Sequence, residues 1–375
     1  MLSVTQAFDK LLDTVQPLET VSLPLSDILG QTLAEDISAP ADSPPFDKSL
    51  MDGFAVRATD VANGLTTFNI VEIVTAGRVP SKTVGSGEAT QIMTGAPIPA
   101  GADLVVKIEE TSRDGDRVRI TTKSIAQGTN ILRRGTSVRA GDVVLNAGMT
   151  LNGSRIGALA ELGRAEVRVH RRPTVAVLAT GDELVPIVET PGPGQIRNSN
   201  EAMLVAQLQA AGAIPVPLGI ARDNRDDLRA KIQQGLRCDM LVLSGGVSAG
   251  TLDLVPSELT AAGVCEVFHK VELKPGKPVW FGVRKPVEDS DACYVFGLPG
   301  NPVSSLVCCE LFVRTAIRRL MGEQPPKPRP IPARLEHDYS ARADRPTYHP
   351  AKLTWTSEGA VVKLVPWHGS SDLCG

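Results

Sequence analysis

Aromatic residues are scarce in this 375-residue chain, at 4% of the sequence. Proteins that bind single-stranded nucleic acid stack bases on aromatic side chains, so the shortage argues against that class. An excess of positive charge is also lacking, because 39 Lys and Arg residues face 42 Asp and Glu residues and the net charge is -3. No global field would recruit a polyanion or an anionic membrane, and any phosphate recognition must be local.

Long apolar runs and a basic leader are missing as well. The N-terminal segment MLSVTQAFDKLL lacks the basic flank and the apolar core of a signal peptide. No later segment approaches the roughly 18 uninterrupted apolar residues that a membrane-spanning helix needs. These absences predict a cytoplasmic protein with neither a membrane nor a nucleic acid as partner.

The six cysteines form no Cys-x-x-Cys pair, and none lies at a spacing from histidine that would suggest zinc or iron-sulfur ligation. Most lie in apolar runs, which predicts buried, reduced thiols. The five histidines are scattered, and none accompanies a Ser or Cys in a nucleophile motif. The sequence therefore argues against a covalent hydrolase.

The apolar fraction of 42% is enough to bury substantial cores, in about two to four domains. Apolar residues from Val4 to Val15 recur at helical spacing, and Ser3 with Gln6 matches a capping box, so an amphipathic helix is predicted first. Short β-branched runs then give way, after Pro173, to strands alternating with helices, which predicts a doubly wound, mostly parallel sheet. The predicted domains are 1–39 with 140–172 (N-terminal helix and split linker domain), 40–139 (β-rich), 173–324 (α/β) and 325–375 (a small β domain).

Three loops follow predicted parallel strands: ATGDELVP, SGGVSAGTLD and LPGNP. Because the carboxyl ends of parallel strands meet at one edge of a sheet, these loops should share one ligand-binding mouth. In the second loop, glycines would let backbone N–H groups approach an anion, and Ser244 and Ser248 add hydroxyl donors. The loop lacks the Lys-Ser/Thr ending of a P-loop, and by itself it could equally be a flexible turn.

Acidic side chains gather at the same predicted strand ends. Asp182 and Glu183 follow the first strand, Asp223 lies at the start of a helix after the second, and Asp253 follows the glycine-rich loop. Asp223 would also suit a helix N-cap, and Asp182 and Asp253 would suit turns. Beside a phosphate-binding loop, however, the four fit a Mg²⁺ site, because Mg²⁺ prefers carboxylates together with phosphate oxygens.

The segment KPGKP holds two lysines, Lys274 and Lys277, between prolines that restrict the backbone. It would hold point charges against a phosphate, although an isolated segment of this kind is most often a solvated turn. After the last strand, Asn301 is predicted to cap a helix whose first position is Pro302. In the β-rich half, SLMDGFA and TGAPIPAGAD are polar loops that composition alone assigns to turns.

The motifs SLMDGFAV, TGAPIPAGAD, TGDEL, GQIRNSN, SGGVSAGTLD, KPGKP and LPGNP occur in this order along nearly the whole chain. Together they resemble the molybdopterin molybdenumtransferases, the family of the bacterial MoeA proteins and the gephyrin E domain. Each motif alone would be weak, whereas the ordered combination is specific.

The resemblance implies a homodimer of elongated, multidomain subunits whose α/β domain is similar to the pterin adenylyltransferases. It also implies a Mg²⁺-dependent reaction at a dimer cleft, in which molybdate and adenylylated molybdopterin give molybdenum cofactor and AMP. The adenylyltransferase of the pathway would be a partner. The implied catalytic residues are Asp52, Thr94, Glu183, Asp223 and Asp253, and the last three would also hold the metal. The implied pterin-phosphate site comprises Ser244, Gly245, Gly246, Ser248, Gly250, Lys274, Lys277, Pro299, Asn301, Pro302 and Arg345.

Two positions depart from the family pattern. Ser137 stands where many relatives have an acidic residue, and His349 stands where an arginine is common. The sequence also stops at LVPWHGSSDLCG, where relatives usually continue through another strand, which suggests a short or truncated last domain.

Two other functions are compatible with parts of the sequence. A molybdopterin adenylyltransferase shares the glycine-rich loop and the carboxylates, but stand-alone adenylyltransferases lack SLMDGFAV and TGAPIPAGAD. A non-catalytic scaffold would need an extra domain or a long linker, which this sequence does not contain. No residue distinguishes molybdate from tungstate.

Overall fold

A computed structural model describes residues 1–122, 125–246, 254–286, 291–340, 345–367 and 369–371. They fall into two compact units. The larger unit comprises Met1–Glu35, Ala147–Gly157 and Arg164–Gly375, and the smaller unit comprises Asp36–Asn146 and Ala158–Gly163. The finer division into four domains remains a prediction.

The α-helices in these residues are α1 (Val4–Thr14), α2 (Ala58–Ala62), α3 (Gly153–Glu161), α4 (Ser199–Ala210), α5 (Arg225–Gly235), α6 (Val255–Ala261), α7 (Pro302–Cys308) and α8 (Arg314–Leu320). A π-helical turn at Cys309–Val313 joins α7 to α8. None of the helices in the part of the chain that the structure describes has both the length and the apolar character needed to cross a membrane.

The strands are β1 (Thr20–Pro24), β2 (Ile37–Ser38), β3 (Lys48–Ser49), β4 (Gly53–Val56), β5 (Thr67–Val74), β6 (Glu88–Ile92), β7 (Leu104–Lys107), β8 (Thr111–Asp114), β9 (Arg117–Ile120), β10 (Ile131–Leu132), β11 (Val143–Leu145), β12 (Glu166–His170), β13 (Thr174–Thr180), β14 (Leu184–Val185), β15 (Ile196–Arg197), β16 (Ile214–Ala221), β17 (Met240–Ser244), β18 (Val264–His269), β19 (Trp280–Arg284), β20 (Cys293–Leu298), β21 (Arg334–Leu335), β22 (Ala351–Thr356) and β23 (Gly359–Leu364).

Helix α1 begins as the sequence predicts. The Ser3 hydroxyl accepts a hydrogen bond from the Gln6 amide N–H at 3.2 Å, and the Gln6 side chain accepts one from the Ser3 amide N–H at 2.9 Å. This reciprocal pair satisfies two donors that a helix start otherwise leaves free. On the apolar face, Leu11 is fully buried and the Phe8 ring lies 5.3 Å from that of Phe312.

The centre of the larger unit is a six-stranded sheet in the order β16-β13-β17-β20-β19-β18. The first four strands are parallel, whereas β19 pairs antiparallel with β20 and β18 pairs antiparallel with β19. Along β13, Val175 and Val177 face one apolar cluster and Ala176 and Leu178 face another. Both faces are therefore buried under helices, which confirms the doubly wound α/β prediction.

The Asp239 carboxylate links the amino ends of strands β13 and β17 through hydrogen bonds. The Asp239 carboxylate, before β17, accepts hydrogen bonds from both terminal guanidinium nitrogens of Arg171 at 2.6 and 2.7 Å and from the Thr174 amide N–H at 2.7 Å. Its side chain is only 7% exposed. Burial favours a higher pKa for Asp239, but the hydrogen bonds from Arg171 and Thr174 outweigh it and lower the pKa. Removing one partner of such a buried pair typically costs about 3–5 kcal/mol.

Smaller sheets complete the larger unit. Strands β1 and β12 form an antiparallel pair, β14 and β15 form a short parallel pair, and β21-β23-β22 form a three-stranded sheet in the C-terminal part. Strands β22 and β23 pair as an antiparallel hairpin over residues 351–364.

The smaller unit is β-rich, as predicted. Its main sheet has the order β7-β4-β6-β5-β9-β8, and only the β5-β6 pair in it is parallel. Phe54, Phe68, Leu104 and Val118 are buried in its core. Two short antiparallel pairs, β2-β11 and β3-β10, flank this sheet in the chain.

The cysteines agree in part with the expectation of buried thiols. Cys293, Cys308 and Cys309 are buried, Cys238 is half-buried and Cys265 is exposed, all of them free of disulfides. Burial raises the pKa values of the Cys293, Cys308 and Cys309 thiols, so these groups stay protonated and inert. Cys374 lies outside the described residues.

Candidate functional site

A cavity of about 1190 Å³ opens at the carboxyl ends of the parallel strands in the larger unit. Open α/β sheets bind their ligands at this edge. Eight of the residues predicted for the site line it: Glu183, Asp223, Ser244, Gly245, Gly246, Pro299, Asn301 and Pro302. The predicted convergence of the strand-end loops is therefore seen in the fold, while the roles of these residues remain predictions.

The glycine-rich loop leaves the sheet at Ser244, the last residue of β17. Gly245 has a φ of +95°, and a Cβ placed on it would lie 2.7 Å from the Thr180 carbonyl oxygen. Only glycine fits this close approach between the ends of β13 and β17. The rest of the loop, including the predicted residues Ser248, Gly250 and Asp253, lies outside the described residues.

Glu183 and Asp223 line the cavity from the ends of neighbouring strands. The Asp182 carboxylate accepts a hydrogen bond from the Asp223 amide N–H at 3.1 Å, and the Arg222 guanidinium donates to the Leu184 carbonyl oxygen at 3.0 Å. These bonds join the loop after β13 to the loop after β16, which brings Glu183 and Asp223 to the same cavity.

The suggestion that Asp223 caps a helix is wrong. The N-cap of α5 is Asn224, whose side chain accepts a hydrogen bond from the Asp227 amide N–H at 2.9 Å. Asp223 precedes the cap, so its carboxylate is not used in helix capping. Asn224 was not considered as a cap from the sequence, although asparagine is as good an N-cap residue as aspartate.

A Mg²⁺ ion is compatible with the residues that line the cavity. Glu183 and Asp223 supply the hard oxygen donors that Mg²⁺ prefers, and a substrate phosphate would supply further oxygens. Within the described ranges no three His, Cys, Asp or Glu side chains form a complete metal-binding group. The third predicted ligand, Asp253, is not among those residues.

The LPGNP loop forms another part of the cavity wall. Pro302 occupies the first turn of α7, as predicted, and Asn301 has the extended backbone of an N-cap. The Asn301 side chain makes no capping bond, contrary to expectation, and its side-chain nitrogen donates to the Ser370 hydroxyl at 2.9 Å. The Ser370 carbonyl oxygen accepts instead from the Val303 amide N–H at 2.9 Å. The neighbouring Ser371 lines the cavity and was not anticipated.

A polar network below the cavity was also missed by sequence reasoning. The Asn200 side-chain nitrogen donates to the Ser244 hydroxyl and to the Gly300 carbonyl oxygen, both at 2.8 Å. The Ser305 hydroxyl donates to the Pro299 carbonyl oxygen at 2.5 Å. Asn200 thus fixes the glycine-rich loop against the LPGNP loop. Its place in the GQIRNSN motif was the only available signal.

The predicted basic residues are brought together by a backbone pairing. The Lys274 amide N–H donates to the Pro346 carbonyl oxygen at 2.9 Å, and the Tyr348 amide N–H donates to the Lys274 carbonyl oxygen at 2.7 Å. Arg345 directly precedes this paired segment, and Lys277 lies three residues beyond Lys274. Both lysine side chains are exposed. These three basic residues do not contribute to the described cavity wall, although Pro278 does.

Asp52 and Thr94 form one pair in the smaller unit. One Asp52 carboxylate oxygen accepts hydrogen bonds from the amide N–H and from the hydroxyl of Thr94, both at 2.7 Å. The hydrogen bond from the Thr94 amide N–H and, to a smaller extent, the one from its hydroxyl lower the pKa of the exposed Asp52 carboxyl. The fold therefore joins SLMDGFAV to TGAPIPAGAD and keeps Asp52 ionised.

The structure describes the surroundings of both departures from the family pattern. The Ser137 amide N–H donates to the Ser43 carbonyl oxygen at 3.0 Å, a bond that does not depend on the side chain at this position. The His349 ring packs edge-on against Tyr339 and Trp367, with both centroid distances 5.5 Å. His349 thus sits in an aromatic cluster of the C-terminal part.

The fold and cavity define a class: an α/β protein whose ligand cavity, lined by glycines and carboxylates, opens at the carboxyl ends of parallel strands. Comparison with known families shows which members of this class the chain resembles. Residues 2–163 match the family model "MoeA N-terminal region (domain I and II)", and residues 176–319 match the model "Probable molybdopterin binding domain".

Known proteins resemble nearly the whole chain. A molybdopterin molybdenumtransferase of Staphylococcus aureus is 37% identical over 369 residues, which covers 96% of this chain and 86% of the relative. One from Staphylococcus epidermidis is 36% identical with the same coverage. A crystal structure of the molybdopterin biosynthesis MoeA protein from Pyrococcus horikoshii OT3 has a TM-score of 0.84 at 28% identity, covering 100% of this chain and 92% of that one.

The chain belongs to the MoeA family of molybdopterin molybdenumtransferases. It is accordingly a transferase of molybdenum-cofactor biosynthesis. The family inferred from the ordered motifs is confirmed, and so is the multidomain fold class.

Proposed function

We propose that this enzyme transfers molybdenum from molybdate to the dithiolene of adenylylated molybdopterin and releases AMP. The observation that carries the proposal is the clustering of Glu183, Asp223, Gly245 and the LPGNP loop around one cavity. All of them lie within residues 176–319, the part that matches the molybdopterin-binding family model.

The proposed reaction needs no protein nucleophile. Two dithiolene sulfurs bind molybdenum, and displaced molybdate oxygen leaves as water with the thiol protons. The bond between the AMP phosphorus and the bridging oxygen breaks, and an oxygen from water or from molybdate goes to AMP. The bridging oxygen stays with the molybdopterin phosphate. The protein contributes position and charge, which are the main sources of catalysis in phosphoryl transfer.

Each part of the site has a proposed task. Glu183 and Asp223, with Asp253, would hold Mg²⁺, which when bound neutralises charge on the pyrophosphate. Backbone N–H groups and hydroxyls of the glycine-rich loop, including Ser248 and Gly250, would bind phosphate oxygens. Lys274, Lys277 and Arg345 would add positive charge as the substrate enters.

The remaining proposals concern the assembly. The active enzyme would be a homodimer in the cytoplasm, and it would receive adenylylated molybdopterin from the adenylyltransferase of the pathway. Asp52 and Thr94 would act at the dimer cleft as an ionised carboxylate with its fixed hydroxyl.

A reconstituted assay with adenylylated molybdopterin tests the function. We expect AMP release that requires both molybdate and Mg²⁺, with molybdenum recovered on the pterin in equal amount. The same assay with tungstate in place of molybdate would show whether the enzyme distinguishes the two oxyanions. An enzyme that instead transfers AMP from ATP to free molybdopterin, with pyrophosphate as the leaving group of ATP, would be an adenylyltransferase, and the proposal would be wrong.

A further inference from the structure

Two buried polar atoms in the wall of the large cavity lack hydrogen-bond partners among the described residues. They are the Thr180 hydroxyl oxygen and the Asn200 side-chain carbonyl oxygen. Thr180 is only 6% exposed. Native proteins seldom leave such atoms unsatisfied, and a ligand is one reason for an exception.

The hydrogen bonds of Asn200 fix what its free oxygen can do. Both hydrogens of the side-chain nitrogen are used, one by the Ser244 hydroxyl and one by the Gly300 carbonyl oxygen. The carboxamide is therefore held in one orientation, and its oxygen is purely an acceptor. A group that binds this oxygen must therefore be a hydrogen-bond donor or a cation.

Anionic parts of the proposed substrate do not meet this requirement. Molybdate and the pyrophosphate oxygens are acceptors at neutral pH, so they would leave the Asn200 oxygen unsatisfied. The heterocyclic part of a pterin does meet it, because the 2-amino group and the ring N3–H are adjacent donors beside the C4 carbonyl acceptor.

Thr180 adds a group that can both donate and accept. A Cβ on Gly245 would lie 2.9 Å from the Thr180 hydroxyl oxygen, so this hydroxyl faces the start of the glycine-rich loop at a position where there is no side chain. The Asn200 and Thr180 side chains lie on either side of the Ser244-Gly245 segment, because the Asn200 nitrogen donates to the Ser244 hydroxyl and the Thr180 hydroxyl faces Gly245.

We propose that Thr180 and Asn200 bind the aminopyrimidinone edge of the pterin ring and set the enzyme's specificity for it. Asn200 accepts from the pterin N–H donors, and the Thr180 hydroxyl pairs with a ring acceptor. This inference rests on the proposed function, because it takes the substrate to be a molybdopterin derivative.

Binding of 6-carboxypterin and 6-carboxylumazine tests the proposal. In the lumazine probe an oxygen replaces the amino group at C2 and N1 carries a proton, and the two probes are otherwise the same. The full chain is titrated with each probe, and binding is followed by the fluorescence of the probe. EDTA is present throughout, so that a metal-mediated contact is excluded. We expect the wild type to prefer the pterin on the order of tenfold, since a lost donor leaves a buried acceptor unpaired.

Thr180→Val and Asn200→Leu should weaken pterin binding on the order of tenfold, and Asn200→Leu should abolish the preference over lumazine. Thr180→Val should keep or raise the melting temperature, because it removes a buried hydroxyl that has no partner among the residues that the structure describes. A merely structural role for Thr180 would give the opposite result, a lower melting temperature with unchanged probe affinity.

Matched controls come from atoms of the same kind outside the cavity wall. Within the described part of the chain, the buried Thr32 hydroxyl has no hydrogen-bond partner, and neither does the buried side-chain oxygen of Gln207, which lies on the same helix as Asn200. Thr32→Val and Gln207→Leu should leave probe affinity unchanged. Equal affinities of the wild type for the two probes, or a loss of AMP binding in place of pterin binding in the Thr180 and Asn200 variants, would overturn the inference. If the wild type still inserts molybdenum in that case, the proposed function stands.

Discussion

At the scale of single residues, the Asp52 carboxylate shows how an exposed group is kept charged. The Thr94 amide N–H and hydroxyl both donate to one of its oxygens, and each bond favours the ionised form, so the pKa falls below its ordinary value. A depressed folded-state pKa stabilises the fold at pH values above the unfolded pKa, and that stability is lost as the pH falls through the folded pKa.

Thr94→Val should therefore raise the pKa of Asp52 toward its ordinary value without restoring it fully, because the backbone donor remains. Carboxyl carbon NMR titration of the two proteins measures the shift directly. In the same unit, the Thr111 hydroxyl donates to the Ile108 carbonyl oxygen and not to a carboxylate. Thr111→Val should leave the Asp52 titration unchanged, and an unchanged Asp52 pKa in Thr94→Val would refute the role given to the hydroxyl.

The sequence could predict residues whose position follows from strand ends, such as Glu183 and Ser244. It could not identify Thr180 or Asn200, because their role depends on which hydrogen bonds are already used. The Asn200 nitrogen bonds a carbonyl oxygen at Gly300, a hundred residues away in the chain. No local pattern shows such a contact.

At the scale of elements, the lysine-bearing turn is held by its packing against α7. Gly276 lies between Lys274 and Lys277 with a φ of +111°, and a Cβ on it would lie 2.5 Å from the Cys308 sulfur. The buried Cys308 thiol and this glycine together fix the turn that presents both lysines.

Gly276→Ala should lower the free energy of unfolding through two effects, backbone strain at positive φ and an overpacking cost of about 1–3 kcal/mol. Gly263 also has a positive φ, +81°, but a Cβ added there would meet only open space, so Gly263→Ala isolates the backbone effect. Urea denaturation should show a larger loss for Gly276→Ala, partly recovered by Cys308→Ala. Equal losses for the two glycine variants would show that the contact with Cys308 is unimportant.

Element prediction succeeded where the periodicity was strong. The strands and helices after Pro173 read clearly, because buried parallel strands are continuous apolar runs. The reversed direction of β19 was not predicted, since an antiparallel strand can have the same composition as a parallel one. The cap of α5 was misjudged by one residue because Asp223 and Asn224 are both good caps.

At the scale of the whole molecule, composition and periodicity yield only a multidomain α/β protein with an acidic, anion-binding site. The ordered motifs from SLMDGFAV to LPGNP identify the family. The matches of residues 2–163 and 176–319 to family models confirm this identification. The motifs mix loop residues with buried strand residues such as Gly53–Val56, and their order along the chain carries information that composition and periodicity do not.

The central claim is that the cavity at the carboxyl ends of the parallel strands carries the reaction. The most direct test is the rate of molybdate-dependent AMP release by Glu183→Gln, compared with Glu189→Gln. Glu189 is also an exposed glutamate, but it lines a separate pocket of about 540 Å³. We expect a loss on the order of a hundredfold for Glu183→Gln and none for Glu189→Gln. Undiminished AMP release by Glu183→Gln would contradict the claim.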